Sequence, residues 1–272
     1  MLIRNTLIVG AASLALAVVC FAGVAWVAGP EIIKNGWTIP INGDETIVVR
    51  DGGRVIHTGR HVGLGHGGPA PALVDRTFAW TGKDTLSIDL PVDVTYVQGA
   101  DAKVVISGPQ AYVDHMRVEG GRLTLDDEDI VERATMTLGA DGLQVRSDAE
   151  RVKVTVVAPA VTRFEVEGSG DLKIHRYDQP RLSVSIEGSG RVNAQGRTET
   201  ISVDNSGSGY ADLSDLKGRD AVVDVSGSGG GAVFATGKVK IDISGSGDVE
   251  LRTEPKSVDT EITGSGEVRR DF

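Results

Sequence analysis

Cysteine is almost absent from this chain. The single residue, Cys20, excludes an internal disulfide, a CxxC redox pair and a cysteine-based zinc site. Aromatics are scarce, with three Trp, four Tyr and five Phe in 272 residues, so Val, Ile, Leu and Ala must fill any core. Proline stands at nine, and the 36 glycines show no three-residue period, which excludes a collagen-like chain. No amphipathic helical pattern of useful length occurs, and residues 109–116 have room for one helical turn. Basic charge is also short. Residues 1–29 hold Arg4 and no acid, leaving 27 basic against 38 acidic side chains in the remainder. A body that acidic lacks the positive surface that phosphates require, so no nucleic-acid partner is expected.

What is present begins with an apolar N-terminus. Residues 7–29 are uncharged and mostly apolar. A spanning helix needs about 20 such residues, whereas the apolar core of a cleaved signal peptide runs to roughly 7–15. Arg4 precedes the stretch and Glu31 follows it, which favours an N-terminus left in the cytoplasm. The segment therefore reads as an N-terminal transmembrane helix. The alternative is a signal peptide cleaved after Ala25, with Gly23 at the −3 position. Val19 is too bulky for the small residue that a lipoprotein signal needs before Cys20. In either reading residues 30–272 are extracytoplasmic: a periplasmic domain anchored to the cytoplasmic membrane, or a secreted one after cleavage. The lone thiol stays out of an oxidising compartment.

Residues 30–77 read as juxtamembrane hairpins and a Gly/His-rich linker. Asn42-Gly43 and Asp51-Gly52-Gly53 separate short apolar runs, as hairpin turns do, and residues 58–71 are rich in Gly and Pro. From Phe78 onward apolar residues alternate with polar ones: Leu86, Ile88 and Leu90; Val92, Val94 and Tyr96; Val104 and Ile106; Leu123 and Leu125; Leu143 and Val145; Val152, Val154 and Val156. These are short half-buried strands.

A repeat starts at Phe164. Its corners are Gly168-Ser169-Gly170, Gly188-Ser189-Gly190, Gly207-Ser208-Gly209, Gly227-Ser228-Gly229, Gly245-Ser246-Gly247 and Gly264-Ser265-Gly266, with serine spacings of 20, 19, 20, 18 and 19. A fixed period in this range marks a solenoid. Three and five residues either side of each serine the chain is almost always apolar, and at the even offsets almost always polar. Successive side chains of a strand point to opposite faces, so the odd offsets point inward. Each coil has a strand before the corner, a strand after it and a turn of five to seven residues. The glycines let the backbone cut close across the corner and adopt its dihedrals, and the serines face out or line the bend. The expected fold is all-β: a right-handed parallel β-solenoid, or β-helix, of six coils of about 19 residues over 164–272. Irregular strands precede it from residue 78. In the last coil Thr260 and Arg270 occupy inward positions, as suits a solvent-facing end, and Asn205 is a polar exception on an inner rung.

The runs FEVEGSGDL, DISGSGDVEL and EITGSGEV, with VVISGP and VEGGRLTL upstream, resemble the head GIN domain family (DUF2807), also described as an auto-transporter adhesin domain. The resemblance covers roughly residues 80–270. It implies a bacterial cell-envelope protein with a β-helical fold and brings no catalytic residues to this chain.

Other motifs carry little chemistry. Gly63 to Gly68 fits GxGxxG, but Pro69 and Pro71 prevent the helix that a dinucleotide site requires. His57, His61 and His66 have the spacing of a metal-binding tract, and a solvated loop is the simpler reading. Asp126-Asp127-Glu128-Asp129 lacks the glycine spacing of a calcium loop. Asp171 and Asp248 follow their corners as in a calcium β-roll, but Arg191, Tyr210, Gly230 and Glu267 break that ladder. The serines lack the glycine two residues earlier that a nucleophile elbow needs, and they recur six times. No catalytic, metal or cofactor-binding residue is assigned, and no cofactor is expected. The expected function is a non-enzymatic envelope module held at the membrane by its N-terminal helix, contacting a protein or glycan partner. The alternatives are a structural protein forming homo-oligomers through its solenoid ends and, less favoured, a polysaccharide-active β-helix enzyme.

Overall fold

The computed structural model describes residues 72–126 and 151–272, together with the backbone of a few strands outside them. The chain divides into two compact units, Met1–Ala70 with Val131–Asp148, and Pro71–Ile130 with Ala149–Phe272. The expected membrane segment at residues 7–29 and the glycine-rich stretch at 60–71 lie outside the described residues. Among the described residues no helix is long and apolar enough to cross a membrane.

The first unit contains β1 (Trp37–Pro40), β2 (Ile47–Asp51) and β3 (Arg54–Gly59). β2 and β3 pair antiparallel across Gly52-Gly53, the hairpin expected there. Asn42-Gly43, the other expected hairpin turn, lies outside the described residues, and β1 belongs to a sheet without β2. It pairs antiparallel with β10 (Arg133–Gly139), which pairs with β11 (Gly142–Ser147).

The second unit is a β-solenoid of about five turns with almost no helix. Its lower part comprises β4 (Leu73–Ala79), β5 (Thr85–Asp89), β6 (Asp93–Gln98), β7 (Lys103–Pro109), the short helix α1 (Gln110–His115), β8 (Met116–Glu119), β9 (Arg122–Leu125) and β12 (Lys153–Ala158). Then come β13 (Arg163–Val166), β14 (Leu172–Asp178), β15 (Arg181–Ile186), β16 (Arg191–Arg197), β17 (Thr200–Asn205) and β18 (Tyr210–Gly218). The last are β19 (Asp220–Val225), β20 (Gly230–Ala235), β21 (Lys238–Ile243), β22 (Val249–Leu251), β23 (Ser257–Ile262) and β24 (Val268–Arg270). These strands form two sheets and alternate between them from β12 upward. One has ten strands in the order β24-β22-β20-β18-β16-β14-β6-β12-β7-β4, the other nine in the order β23-β21-β19-β17-β15-β13-β5-β9-β8. Pairing is parallel from β12 and β9 upward. It is antiparallel only at the lower edges, where β7, β4 and β8 close the stack.

The alternation read from the sequence sets the core. Phe164, Val184, Val203, Val223 and Ile241 form one buried column in register, and Leu172, Val192, Ala211 and Val249 belong to another. One turn of the stack has no Gly-Ser-Gly. β5 and β6 lie directly beneath β13 and β14, with Leu86 opposite Phe164, Ile88 opposite Val166, Val94 opposite Leu172 and Tyr96 opposite Ile174. Leu90-Pro91-Val92 forms its corner. Centred on Pro91, its odd offsets are apolar like those of the repeat, which therefore continues below its glycines.

The corners show why the glycines are needed. The backbone is hydrogen-bonded from corner to corner: Ser208 N–H donates to Gly188 C=O (3.0 Å), Ser228 to Gly207 (3.1 Å), Ser246 to Gly227 (3.0 Å) and Ser265 to Gly245 (2.9 Å). A Cβ at Gly188 would collide with the Gly168 carbonyl, and one at Gly207, Gly227, Gly245 or Gly264 with the first-glycine carbonyl beneath it. None of these glycines has a positive φ. Their requirement is therefore space along the stacking axis, and left-handed dihedrals play no part. Positive φ occurs instead at Gly120 and Gly121, between β8 and β9, the pair of angles that a tight two-residue hairpin turn demands.

The lower stack also places rings in a core otherwise filled by Val, Ile, Leu and Ala. Phe164 packs edge-on between Tyr96 (5.1 Å between centroids) and Tyr177 (6.1 Å). Tyr177 turns inward through a bulge. Ile174 is opposite Ala194 but Tyr177 is opposite Gly196, with Arg176 at φ 56° and Gly196 at φ 141°. A second bulge follows Leu213 and brings Leu216 into the core. Such bulges absorb the variation in period on the ten-stranded side, leaving each corner alike.

Asn205 is fully buried at its apolar rung. Its Nδ2 donates to Gly209 C=O (2.8 Å) and Gly230 C=O (3.2 Å), and its Oδ1 accepts Gly207 N–H (3.2 Å). It ties the corner to the turn above. At the upper end Thr260 and Arg270 are exposed and Ile262 is 42% exposed.

Three substitutions test this construction, the first two as a pair. Gly188→Ala is expected to lower stability by about 2–3 kcal/mol, because the added methyl opposes a backbone carbonyl that is itself hydrogen-bonded. Ser189→Ala should stay within about 0.5 kcal/mol, as an exposed site. Thermal melts followed by circular dichroism measure both. Asn205→Val is expected to cost about 1–3 kcal/mol in urea unfolding through the buried polar groups left unpaired.

Candidate interaction surface

Outward positions of the two sheets carry the polar chemistry. On the nine-stranded sheet, Ser185, Asp204, Asp224, Asp242 and Glu261 stand in register on successive strands. The spacing along such a column is about 4.8 Å. Beside it the six corner serines are all exposed. The first corner glycines are half-buried apart from the exposed Gly264, and the second ones are buried apart from the half-buried Gly266.

The aspartates after the corners work along the stack. Asp171 Oδ1 accepts the Arg191 N–H (3.0 Å), and Asp248 Oδ1 accepts the Glu267 N–H (3.0 Å). Each carboxylate satisfies an amide of the next turn, a sufficient reason for Gly-Ser-Gly-Asp without calcium. His61, His66, Gly63 to Gly68 and residues 127–129 lie outside the described residues, and His57 is placed only as backbone in β3. Among the described residues no group of three or more His, Cys, Asp or Glu is positioned to hold a metal ion.

The ten-stranded sheet carries a more varied outer face. Arg191, Tyr210 and Gly230 are in register on β16, β18 and β20, and Asp212, Ala232 and Glu250 are in register on β18, β20 and β22. The Arg191 guanidinium lies 6.0 Å from the centre of the Tyr210 ring. Asp212 Oδ1 accepts the Ser214 N–H (3.2 Å) and hydroxyl (2.5 Å). Arg252 pairs with Glu250 at 2.6 Å, and Arg269 with Asp248 at 3.0 Å. Burial, with the charges of Glu250 and Asp212, raises the Tyr210 pKa and keeps the phenol protonated.

Low on the nine-stranded sheet, Arg122 of β9 grips Glu167 with both terminal nitrogens, Nη1–Oε1 at 2.9 Å and Nη2–Oε2 at 2.7 Å, and reaches Asp89 at 3.1 Å. The Ser87 hydroxyl donates to Glu167 (3.3 Å). Sequence reading missed this clamp because Arg122 and Glu167 are 45 residues apart and only the topology joins them. Arg122 holds the Glu167 pKa below its ordinary value. A depressed carboxylate contributes stability above its unfolded pKa and loses it as pH falls through the folded one. Arg122→Met is therefore expected to destabilise the chain near neutrality. Urea midpoints of variant and wild type should converge as pH drops below the usual glutamate range.

A parallel two-sheet stack with hydrogen-bonded glycine corners, closed by antiparallel strands at its lower end, defines the chain as a β-solenoid protein. It belongs to the family described as "Putative auto-transporter adhesin, head GIN domain", whose sequence model matches residues 84–270. No curated protein matches the chain in sequence. Among solved structures, a "putative adhesin" from Bacteroides fragilis is similar with TM-score 0.55 and 15% identity, over 75% of this chain and 99% of its own. A "putative lipid binding protein" from Parabacteroides distasonis gives 0.42 at 19% identity, over 74% and 97%. A "putative adhesin" from Parabacteroides merdae gives 0.43 at 13%, over 75% and 98%. The first of these shows a shared fold.

Proposed function

We propose that the chain is a non-enzymatic module of the bacterial envelope that engages a protein or glycan partner through the outer faces of its solenoid. In this reading residues 1–29 are an anchor or signal peptide, residues 30–77 a spacer and residues 78–272 a periplasmic or otherwise extracytoplasmic binding domain, wound as six right-handed coils. The observation that carries it is the division of labour along each strand. Inward positions are spent on packing, while outward ones hold polar groups at fixed spacing, including the Asp204, Asp224 and Asp242 column and the exposed serines. Such a surface suits repeated weak contacts with an extended partner.

Immobilised 272-residue chain, incubated with protein and glycan fractions of a bacterial envelope, is expected to retain a partner. Joint Asp204→Asn, Asp224→Asn and Asp242→Asn substitution should release it or reduce retention severalfold at unchanged melting temperature. Retention of nothing, or hydrolysis of a retained glycan, overturns the proposal.

Self-association is the second reading, favoured by one observation: both sheets end upward in β23 and β24, each with an open edge, beside the exposed Ile262. Thr260 and Arg270 weigh against it, since polar inward positions blunt such an edge. Sedimentation velocity over a hundredfold concentration range is expected to show no change in mass. Growth in mass abolished by Ile262→Asp would establish the second reading.

A further inference from the structure

The outer face of the ten-stranded sheet differs from its counterpart. Tyr96, Tyr112, Phe164 and Tyr177 are buried, yet Tyr210 and Phe234 point outward from β18 and β20 and are partly exposed. Phe234 alternates with the buried Val233 and Ala235, and Tyr210 is the in-register neighbour of Gly230, so Phe234 lies four residues further along, about 13 Å at strand rise. Between them the outward positions of β20 are Gly230 and Ala232. Ala232 is 1% exposed, so side chains from the flanking strands close over it. In-register neighbours on either side of Ala232 are Asp212 and Glu250, and Glu250 is paired with Arg252. Tyr210, Phe234, Asp212 and Glu250 thus share one strip of the outer face, with hydrogen-bonding groups on the strands either side of β20.

We infer that this strip over β18, β20 and β22 is a glycan subsite for a neutral oligosaccharide, with sugar faces on Tyr210 and Phe234 and hydroxyls on Asp212 and the Glu250–Arg252 pair. The inference rests on the interaction-module reading above and names its ligand class. Three features select this class. The rings offer flat apolar area to the C–H face of a pyranose at low entropic cost. A carboxylate beside a guanidinium accepts and donates at once, as neighbouring sugar hydroxyls do. The strip's carboxylates and guanidiniums are largely paired with one another, Glu250 with Arg252 and Asp248 with Arg269, which favours an uncharged ligand over an ionic one. The separation of the rings requires several linked sugars rather than one.

Isothermal titration of the purified 272-residue chain with cellohexaose, hexa-N-acetylchitohexaose and maltohexaose tests the assignment. At least one is expected to bind. Tyr210→Ala and Phe234→Ala should each weaken it about tenfold or more, Tyr210→Phe by no more than about threefold, and substitution of the exposed Lys83 by Ala not at all. Phe234→Ala and Tyr210→Phe keep the test valid should Tyr210→Ala unfold by uncovering Gly230. Binding of none of the three sugars, or binding indifferent to both rings, overturns the inference. The envelope-fraction experiment separates the two proposals. A retained partner with no hexasaccharide binding removes this subsite and leaves the module reading. Failure to retain any partner removes the module reading, and the titration still decides the strip.

Discussion

Everything in the solenoid depends on how closely two corners can stack. Sheet pairing sets successive turns about 4.8 Å apart, and the bend between the sheets must keep that spacing or the strands on one side splay. The corner keeps it by continuing the ladder through the bend itself, serine amide to glycine carbonyl. The position that would carry a Cβ then lies against the accepting oxygen, and only hydrogen fits. The lowest corner obeys the same rule from the other side. Leu90 and Val92 offer their carbonyls upward to Gly168 and Gly170, so the glycines are needed in the turn above and not in theirs. Glycine in this chain follows the direction of stacking.

That constraint fixes the rest. Because the corners are alike, the inward columns fall into register and small branched side chains suffice to fill them. Variation in turn length has to be taken up away from the corner, and the bulges at Arg176 and after Leu213 do so, each turning one large residue, Tyr177 or Leu216, into the core. The outward columns inherit the same register whatever they carry. Asp204, Asp224 and Asp242 are stacked like charges, an arrangement that is unfavourable between neighbouring strands. Water screens it at the surface, and the backbone ladder holds it in place.

The alternation of apolar residues and the period near twenty made the solenoid legible, since both are local patterns that a strand and a corner translate directly into geometry. The β5–β6 turn was harder to see. It is separated from its stacking partner β13 by an excursion of more than sixty residues, and its corner lacks the glycines that flagged the others. The Arg122–Glu167 clamp and the contacts of Asn205 were illegible for the same reason. Each joins elements that only the topology brings together. Of the two reasons the sequence suggested for the corner glycines, close approach of the backbone holds, because a carbonyl lies beneath each first glycine, and the need for special dihedrals does not.

The same mechanics divide the chain into residues that cannot vary and residues free to carry function. An outward position is bound by neither core packing nor corner spacing, so its identity needs another cause. For Asp171 and Asp248 that cause is the amide of the next turn. For Tyr210 it is in part the Arg191 guanidinium, 6.0 Å from the centre of a ring that is only partly exposed. Gly230 sharpens the point. A Cβ there would strike the Asp248 carbonyl, so the strand must be bare at that place, and the tyrosine beside it on β18 supplies the side chain that Gly230 cannot. Tyr210 thus stands in register between Arg191, whose guanidinium meets its ring, and a glycine that leaves room for it.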